Sequence, residues 1–435
     1  MLARPVAPLL LAAVALCVPA CGAQEKPAAP AAASSPEPAP AAVAAVPETP
    51  DSLPNGLMLA LAQFVTVEGK PVPGPARLEF LYRRDGRWQT AVLEDEQSNV
   101  FHKAMFYAGP DGPRILTLAG TAAAVKTWEK TASGLEPTTQ WQKDFGGKWS
   151  RMRDAEVADL FGDGGASVAV ATHDQGVVAV LRPREGGFEV VSLDEKPDTF
   201  VHEIEIGDLD GDGVLEVYAT PSEPNRLDGT RQSGEVVRYV PAAGEGRVVV
   251  ADLGDRHAKE ILVDDVDGDG RDELYVSVEG HTEGKGPQKR LIDPVQILRF
   301  DADTEPSAGV AVGTLEDSLS RFLTAGDVDG DGKKELVVAA FSSGLWLFRS
   351  GTDLKGPWRR ELIDKDSAGF EHASILADLD GDGVDELYVA SDRHKQLRRY
   401  VWNGEKLVRE VIYTRPDDRA IFTWNLMPVS VDLIP

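Results

Sequence analysis

The feature that most constrains the fold of this chain is a nine-residue, aspartate-rich loop that occurs four times. Each copy reads Asp-x-Asp-Gly-Asp-Gly-x-x-Glu, and the copies begin at Asp208, Asp265, Asp327 and Asp378. An apolar, strand-like run follows each copy, as at 217–220 after the first one. Self-similarity at a spacing of about 50 to 60 residues is typical of chains built from repeated supersecondary units. The sequence therefore predicts one repeating architecture.

Two degenerate copies of the same unit precede the intact ones. The copy at 159–167 keeps two of the four carboxylates, and the copy at 107–115 keeps one. The apolar runs that follow them, 168–171 and 116–119, are retained. The sequence thus predicts that the fold unit occurs six times and the complete acidic set four times.

Each unit contains four strand-like segments. In the last unit these are 372–379, 386–391, 396–402 and 406–413, rich in β-branched and aromatic residues and separated by Gly, Asp and Asn turns. Four short antiparallel strands per repeat describe a propeller blade. The acidic loop then joins the first strand of a blade to the second.

The chain ends predict how the propeller closes. Three strand-like segments precede the first unit, at 57–65, 77–83 and 88–94, and one follows the last, at 420–428. A shared blade would hide the edges of the first and last sheets. We therefore predict an all-β fold over 56–435, a seven-bladed β-propeller with four-stranded antiparallel blades, one of them shared between N- and C-terminal strands. Eight blades, or a separate N-terminal sheet, are the alternatives.

The acidic loops are predicted to bind about four calcium ions. Calcium takes six to eight oxygen ligands, and magnesium requires a smaller, stricter octahedron. Carboxylates stand at positions 1, 3, 5 and 9, position 7 can offer its carbonyl, and Gly at positions 4 and 6 permits the tight curl. The predicted ligands are Asp208, Asp210, Asp212, Val214, Glu216, Asp265, Asp267, Asp269, Arg271, Glu273, Asp327, Asp329, Asp331, Lys333, Glu335, Asp378, Asp380, Asp382, Val384 and Glu386.

Two other interpretations of these loops are weaker. Asp-Gly clusters also occur as simple turns, but four copies with the same spacing ahead of an apolar strand favour a metal site. An EF-hand places its closing acid at position 12 and is flanked by helices. Neither feature is present here.

The loops and strands resemble those of the FG-GAP or VCBS-repeat proteins, whose relatives include the propellers of integrin α-subunits. The resemblance covers about 100–413, and its specific part is the Asp-x-Asp-Gly-Asp-Gly-x-x-Glu loop. It implies a seven-bladed propeller with calcium on one face. It implies no single activity, since such propellers include adhesion proteins, lectins and proteins fused to or acting as polysaccharide lyases.

The first 55 residues predict export. Arg4, the apolar run 9–16 and Val18-Pro19-Ala20-Cys21 resemble a bacterial lipoprotein signal, with cleavage before a lipidated Cys21. An ordinary secretory signal is the alternative. Residues 21–55 are rich in Ala and Pro and predict a disordered tether. Gly22 favours the outer membrane, so we expect a protein anchored through its lipid in the bacterial cell envelope.

Charge limits the partners. The formal net charge is −26, with 45 Lys and Arg against 71 Asp and Glu, which argues against binding of nucleic acid. A basic residue nonetheless recurs six positions before most loops, and one precedes the last strand. These residues are Arg153, His202, Lys259, Arg321, His372 and Arg419.

Placed at the starts of the first strands, they predict a cationic ring at the channel mouth, on the face opposite the acidic loops. The ring would bind a uronate, a phosphate or an acidic loop of a protein partner. The alternative is local pairing with Glu203, Glu260 and Glu371. Trp149 and Trp424 lie near the same strand starts and could stack on a sugar.

Three functions follow from these patterns. We expect a non-enzymatic binding or adhesion module for a glycan or protein partner. The first alternative is a carbohydrate-active enzyme such as a polysaccharide lyase, with His202, His372 or Lys259 near a uronate; no hydrolase or metalloprotease motif is present. The second alternative is a purely structural envelope module.

Overall fold

The computed structural model describes residues 46–120, 123–146, 150–173, 175–223, 231–284, 286–416 and 419–435. The first strands are β1 (Asn55–Val67), β2 (Lys70–Pro73), β3 (Ala76–Arg84) and β4 (Arg87–Asp95). The first half of the long β1 pairs with β3, and the last residues of β1 form a short hairpin with β2. β3 then pairs with β4.

Six antiparallel blades follow, each with four strands in chain order. Blade 1 has β5 (Phe101–Gly109), β6 (Gly112–Ala119), β7 (Ala124–Thr131) and β8 (Gly134–Gln142). Blade 2 has β9 (Met152–Ala158), β10 (Ser167–Thr172), β11 (Val178–Arg184) and β12 (Gly187–Asp194). Blade 3 has β13 (Phe200–Gly207), β14 (Glu216–Ser222), β15 (Glu235–Val240) and β16 (Glu245–Asp252).

Blade 4 has β17 (Ala258–Asp264) and β18 (Glu273–Val278), then the inserted hairpin β19 (His281–Glu283) and β20 (Arg290–Asp293), then β21 (Val295–Phe300) and β22 (Val310–Leu315). Blade 5 has β23 (Ser320–Gly326), β24 (Glu335–Ala340), β25 (Leu345–Arg349) and β26 (Arg359–Asp364). Blade 6 has β27 (Ser374–Ala377), β28 (Glu386–Ser391), β29 (Gln396–Trp402) and β30 (Leu407–Thr414). Short 3-10 helices lie at Gly286–Gln288, Asp392–His394 and Val431–Leu433.

The last strand closes the ring. β31 (Ile421–Ser430) pairs antiparallel with β1, placing Met58 opposite Met427. The order β31–β1–β3–β4 gives a closing blade made of one C-terminal and three N-terminal strands. The predicted seven-bladed propeller with a shared blade is therefore confirmed.

The first strands form the innermost ring of the propeller, because β31, β5, β9, β13, β17, β23 and β27 each contact the next around the circle. The second strands lie in the core. In β24 and β28 every residue is buried. A blade packs against neighbours on both faces, so its second strand is buried along its whole length and its central residues are apolar instead of alternating. This arrangement places the starts of the inner strands at one end of the channel and the acidic loops at the other.

The folded part begins slightly before the predicted boundary at residue 56. Leu53 is buried in a core cluster, its N–H donates to the carbonyl of Arg83, and Thr49 contacts Arg399. The predicted signal, Cys21 and most of the tether lie outside the described residues. In the described part of the chain, no helix has the length and apolar character needed to cross a membrane.

Candidate functional site

The acidic loops share one hydrogen-bonded curl. In blade 3, the carboxylate of Asp208 accepts from the N–H groups of Asp212 at 3.0 Å and Gly213 at 2.7 Å. Asp212 in turn accepts from the N–H of Val214 at 2.8 Å. Gly211 and Gly213 have φ values of +71° and +84°, which side chains disfavour. The same bonds from positions 5, 6 and 7 recur in the loops of blades 4, 5 and 6.

These curls bring the carboxylates together. Ligand atoms lie within 4.8 Å of one another in four groups: Asp265, Asp267, Asp269 and Glu273; Asp208, Asp210 and Asp212; Asp327, Asp329 and Glu335; and Asp378, Asp380 and Asp382. In addition, Oδ1 of Asp329 is buried without a hydrogen-bond partner. A buried carboxylate oxygen needs a partner, so this orphaned atom fits a bound cation.

Glutamate at position 9 makes contacts that the sequence reading missed. In blades 3 to 6 an arginine from the third strand of the sheet pairs with it: Arg238 with Glu216 at 2.7 Å, Arg299 with Glu273 at 3.4 Å, Arg349 with Glu335 at 2.6 Å and Arg399 with Glu386 at 2.6 Å. In blades 3, 4 and 5 the other carboxylate oxygen accepts from the N–H at position 2. The recurrence of an arginine in these third strands was the available sequence signal.

The position-9 carboxyls hold their protons more strongly than usual. Burial raises the pKa of Glu273 and Glu335 to about 7, with Asp267 and Asp329 adding to the effect and the paired arginines opposing it. A cation among these carboxylates would favour their ionised forms. The carbonyl role predicted for Val214, Arg271, Lys333 and Val384 stays a prediction.

The degenerate loop of blade 2 keeps the curl and pairs with an arginine. Asp159 accepts from the N–H groups of Asp163 at 3.0 Å and Gly164 at 2.7 Å, as in the intact loops. Here the guanidinium of Arg182 binds Asp163 at 2.5 Å. A side-chain cation thus contacts the loop that lacks carboxylates at positions 3 and 9.

The opposite end of the channel carries the predicted basic residues. Five of them are buried at or beside the starts of inner strands: Arg153, His202, Lys259, Arg321 and His372. Arg419 differs, because it is exposed and its Nη1 donates to Oε1 of Gln63 at 3.0 Å. The structure therefore brings five of the six predicted residues into the channel wall.

Several of these residues have partners in the neighbouring blade. Nη2 of Arg153 lies 3.3 Å from Oε1 of Glu203. The guanidinium of Arg321 lies 3.9 Å from both Glu279 and Glu371. Local pairing, the alternative stated above, therefore describes much of the charge of these two arginines.

Burial disfavours the charged form of four imidazoles at this end. His372 lies between Oγ of Ser367 at 2.7 Å and the carbonyl of Ala340 at 3.1 Å, and burial lowers its pKa to about 4. Burial and nearby cations also lower the pKa values of His102, His173 and His202 well below normal. These rings supply hydrogen-bonding atoms instead of charge.

Aromatic rings line the same end. Trp424 on β31 is half-buried, and the guanidinium of Arg153 lies 5.7 Å from its ring centroid. His102 and Phe370 approach the same ring at 5.1 and 6.4 Å. The guanidinium of Arg321 lies 5.4 Å from the ring of Phe370. Side chains of blades 1, 2, 5 and 6 therefore gather near the closing blade; Trp149 lies outside the described residues.

Buried carboxyls along the channel are a second feature, of which the sequence analysis named Glu203 and Glu260 as pairing partners and missed Asp154, Glu156 and Glu205. Lys103 contacts Asp154 at 3.0 Å and also Glu156. Burial and the neighbouring carboxyls raise the pKa values of Glu203, Glu205 and Glu260 well above normal. Protonation of these groups lowers the negative charge of the channel.

Comparisons with known proteins agree with this architecture. The family model for the FG-GAP-like repeat matches residues 265–338 and 327–389. Rhamnogalacturonan exolyase YesX of Bacillus subtilis (strain 168) is 28% identical over 260 residues, which are 48% of this chain and 40% of the relative. The match thus spans less than half of that enzyme.

Two solved structures are similar at low identity. A candidate 6-phosphogluconolactonase of Bacteroides fragilis NCTC 9343 matches at a TM-score of 0.51 and 15% identity, over 88% of this chain and all of that one. A nidogen/laminin complex matches at a TM-score of 0.40 and 13% identity, over 72% of this chain and 97% of that one. The first likeness supports the fold alone. From the repeats and the observed blades together, this chain is a seven-bladed β-propeller that contains FG-GAP-like repeats.

Proposed function

We propose that this protein is an exported, calcium-binding propeller, anchored by a lipid at Cys21 in the bacterial cell envelope, that binds an acidic glycan at its channel mouth. The main support for a glycan ligand is the contact of Trp424 with Arg153 and of Phe370 with Arg321 at one end of the channel. Aromatic faces stack on sugar rings, and guanidinium groups bind carboxylates. A uronate-containing polysaccharide offers both chemistries.

The similarity to a rhamnogalacturonan exolyase supports the same class of ligand, since that name denotes a polysaccharide with galacturonate units. A protein partner with an acidic loop would use the cations but has less use for the half-buried aromatic rings beside them. The acidic glycan is therefore favoured over a protein partner.

In this proposal calcium stabilises the propeller and does not contact the glycan. Four acidic groups could hold an ion, and each lies where the first strand of a blade turns into the second. Hard oxygen ligands and a flexible curl suit calcium. Ions there would stiffen blades 3 to 6 from the end opposite the proposed glycan site.

Binding to polygalacturonate tests the proposed function. The full-length, calcium-loaded protein should be retarded in gels containing polygalacturonate and not in gels containing neutral galactan. Trp424→Ala should weaken the retardation at least about tenfold. Trp346→Ala is the matched control, because Trp346 also lies under an arginine, Arg360 at 5.5 Å, but on a third strand. Equal migration in both gels by the unaltered protein would contradict the proposal.

The lipid anchor has its own test. The unaltered protein should fractionate with membranes, and Cys21→Ser should be released into the soluble exported fraction. A membrane fraction unchanged by that substitution would contradict lipidation at Cys21.

A lyase is the second candidate. Burial and Arg321 lower the pKa of Lys259 to about 7, so its amine is available as a base near neutral pH. The name of the similar enzyme points the same way. Formation of unsaturated uronate ends from polygalacturonate, lost in Lys259→Met, would favour the lyase. Binding without such ends would favour the binding module.

A further inference from the structure

Three adjacent inner strands leave buried hydrogen-bonding atoms without partners. His202 on β13, Lys259 on β17 and Arg321 on β23 are 2%, 5% and 3% exposed. Nε2 of His202 and both Nε and Nη2 of Arg321 are buried without a hydrogen bond. No hydrogen bond or ion pair joins the amine of Lys259 to any described residue. Oε1 of Glu279, 3.9 Å from Nε of Arg321, is also buried without a hydrogen bond. Buried polar groups are normally paired, so this concentration of unpaired polar atoms indicates a missing partner.

The repeat explains why an acceptor is missing at this place. Arg153 is paired by Glu203, which stands five residues before the loop of the next blade. The equivalent residue in the blade after Lys259 is Phe322. At the position where the blade after Arg153 carries a carboxylate, the blade after Lys259 therefore carries a phenyl group that cannot accept an ion pair.

We propose that His202, Lys259 and Arg321 form a subsite for the carboxylate of one uronic acid residue. The inference deepens the glycan-binding function proposed above and depends on it for the choice of ligand. Charge-assisted hydrogen bonds from an ammonium and a guanidinium are the usual means of holding a carboxylate. Phe370, 5.4 Å from the guanidinium of Arg321, offers an adjacent face for the sugar ring.

The surrounding charges favour a singly charged ligand. The charged groups that act on Lys259 are Arg321, Glu279, Glu371 and Arg153, and His202 and Glu260 flank it in the ring. Glu279 and Glu371 already share the guanidinium of Arg321 at 3.9 Å. A phosphate dianion would add more negative charge beside these carboxylates than a uronate would.

Ligand binding should also change the protonation of Lys259. Burial and Arg321 lower the pKa of this amine to about 7, and a bound carboxylate would raise it again. The complex therefore takes up a proton near neutral pH, and affinity should rise as the pH falls from 8 to 6 while the uronate stays ionised.

Calorimetric titration of the full-length, calcium-loaded protein tests the subsite with D-galacturonate, D-galactose and inorganic phosphate as probes. We expect galacturonate to bind, galactose and phosphate to bind at least about tenfold more weakly, and Lys259→Met to lose about tenfold or more in galacturonate affinity. Lys259→Arg should recover part of the loss. Lys406→Met, at an exposed turn, is the control. In the unaltered protein, galacturonate should bind more tightly at pH 6 than at pH 8 by about fivefold or more. This measurement does not depend on whether a substituted protein folds.

The outcomes separate the subsite from the broader function. Equal galacturonate affinity in Lys259→Met and the unaltered protein overturns the subsite, and retained polygalacturonate binding would then leave the proposed function standing. Phosphate binding tighter than galacturonate overturns the carboxylate assignment. Failure of the unaltered protein to bind galacturonate overturns the subsite, and failure to bind the polymer overturns the proposed function.

Discussion

Oδ2 of Asp272, at position 8 of the loop in blade 4, accepts a hydrogen bond of 2.7 Å from the backbone N–H of Asp208, at position 1 of the loop in blade 3. The same contact recurs between Asp385 and Asp327, at 3.0 Å, across blades 6 and 5. Lys334 joins the remaining pair of blades through Asp264 at 2.6 Å. The four acidic loops are therefore linked in one continuous series.

This linkage predicts that calcium sites in neighbouring blades are coupled. Asp272→Ala leaves the N–H of Asp208 without its acceptor, so we expect the protein to lose about 1–2 kcal/mol of stability and its calcium affinity to fall although the new alanine replaces no predicted ligand. Chemical unfolding and calcium titration measure the two effects. Asp303→Ala, at an exposed turn, is the control. Calcium binding unchanged by Asp272→Ala would refute the coupling.

Calcium removal should destabilise the protein. An ion present at about 100 times its dissociation constant adds about 2.7 kcal/mol per site, so chelation should lower the melting temperature measurably. Asp265→Asn should remove one of about four ions from the stoichiometry. Asp163→Asn, in the degenerate loop of blade 2, should leave the stoichiometry unchanged. A melting temperature insensitive to chelator would count against all four sites.

The stabilising effect of calcium should depend on pH. In the metal-free protein the pKa of Glu273 and Glu335 is about 7, above the value of 4.5 in the unfolded chain. Their contribution to stability is therefore full below about pH 4.5 and is lost as the pH rises through 7. A calcium ion bound by the ionised carboxylates would offset this loss of stability as the pH rises. The calcium-induced rise in melting temperature should increase from pH 5 to pH 8, and a constant rise would contradict this assignment.

The guanidinium of Arg182 should stabilise the degenerate loop of blade 2 by pairing with Asp163. Arg182→Ala removes the nearest cation from Asp163 in the loop of blade 2, so we expect faster proteolysis there and a decrease of only about 1 °C in melting temperature, because the pair is largely solvated. Added calcium should not restore the loss, since this loop has too few carboxylates. Arg184→Ala, 3.9 Å from the same Asp163, serves as the milder comparison. Full rescue by calcium would indicate a metal site in blade 2.

The closing blade should be required for cooperative folding. Removal of residues 420–435 deletes β31 and exposes the edge of β1, including the fully buried Met58 and Leu59. We expect an aggregating chain without a single sharp unfolding transition, as judged by circular dichroism and calorimetry. Deletion of the exposed Pro435 alone is the control. Two-state unfolding of the long truncation would show that closure is dispensable.

Much of the fold could be predicted because each sequence repeat contains the strand pattern of one blade. The strands Glu386–Ser391 and Gln396–Trp402 match the predicted bounds, since their ends are marked by the ninth position of the repeated loop and by turn residues. The predicted strand at 372–379 is shorter in the structure, at Ser374–Ala377. His372 has a φ of +60°, and this left-handed backbone interrupts the extended chain just before β27.

The candidate site was predictable only in part. The acidic loops could be predicted, because nine consecutive residues supply both the carboxylates and the backbone curl. The arginines that pair with position 9, such as Arg238 and Arg349, come from another strand of the blade, and only the sheet register shows which residue reaches the loop. The pairing of the basic residues depends on still more distant segments, as with Arg153 and Glu203.

By itself the sequence determined the all-β repeat, the six repeat units and the four acidic loops, because each follows from residue types at a fixed local spacing. The tertiary structure decided between seven blades with a shared closing blade and the alternatives of eight blades or a separate N-terminal sheet, because only the pairing of β31 with β1 joins the two ends of the chain. Only the tertiary structure decided which charges remain available. Arg153 meets a carboxylate of the next blade, whereas Lys259 faces a blade that carries Phe322 at that position. Burial in the channel wall then decides protonation, since it lowers the pKa of Lys259 to about 7. Composition and spacing cannot show either effect.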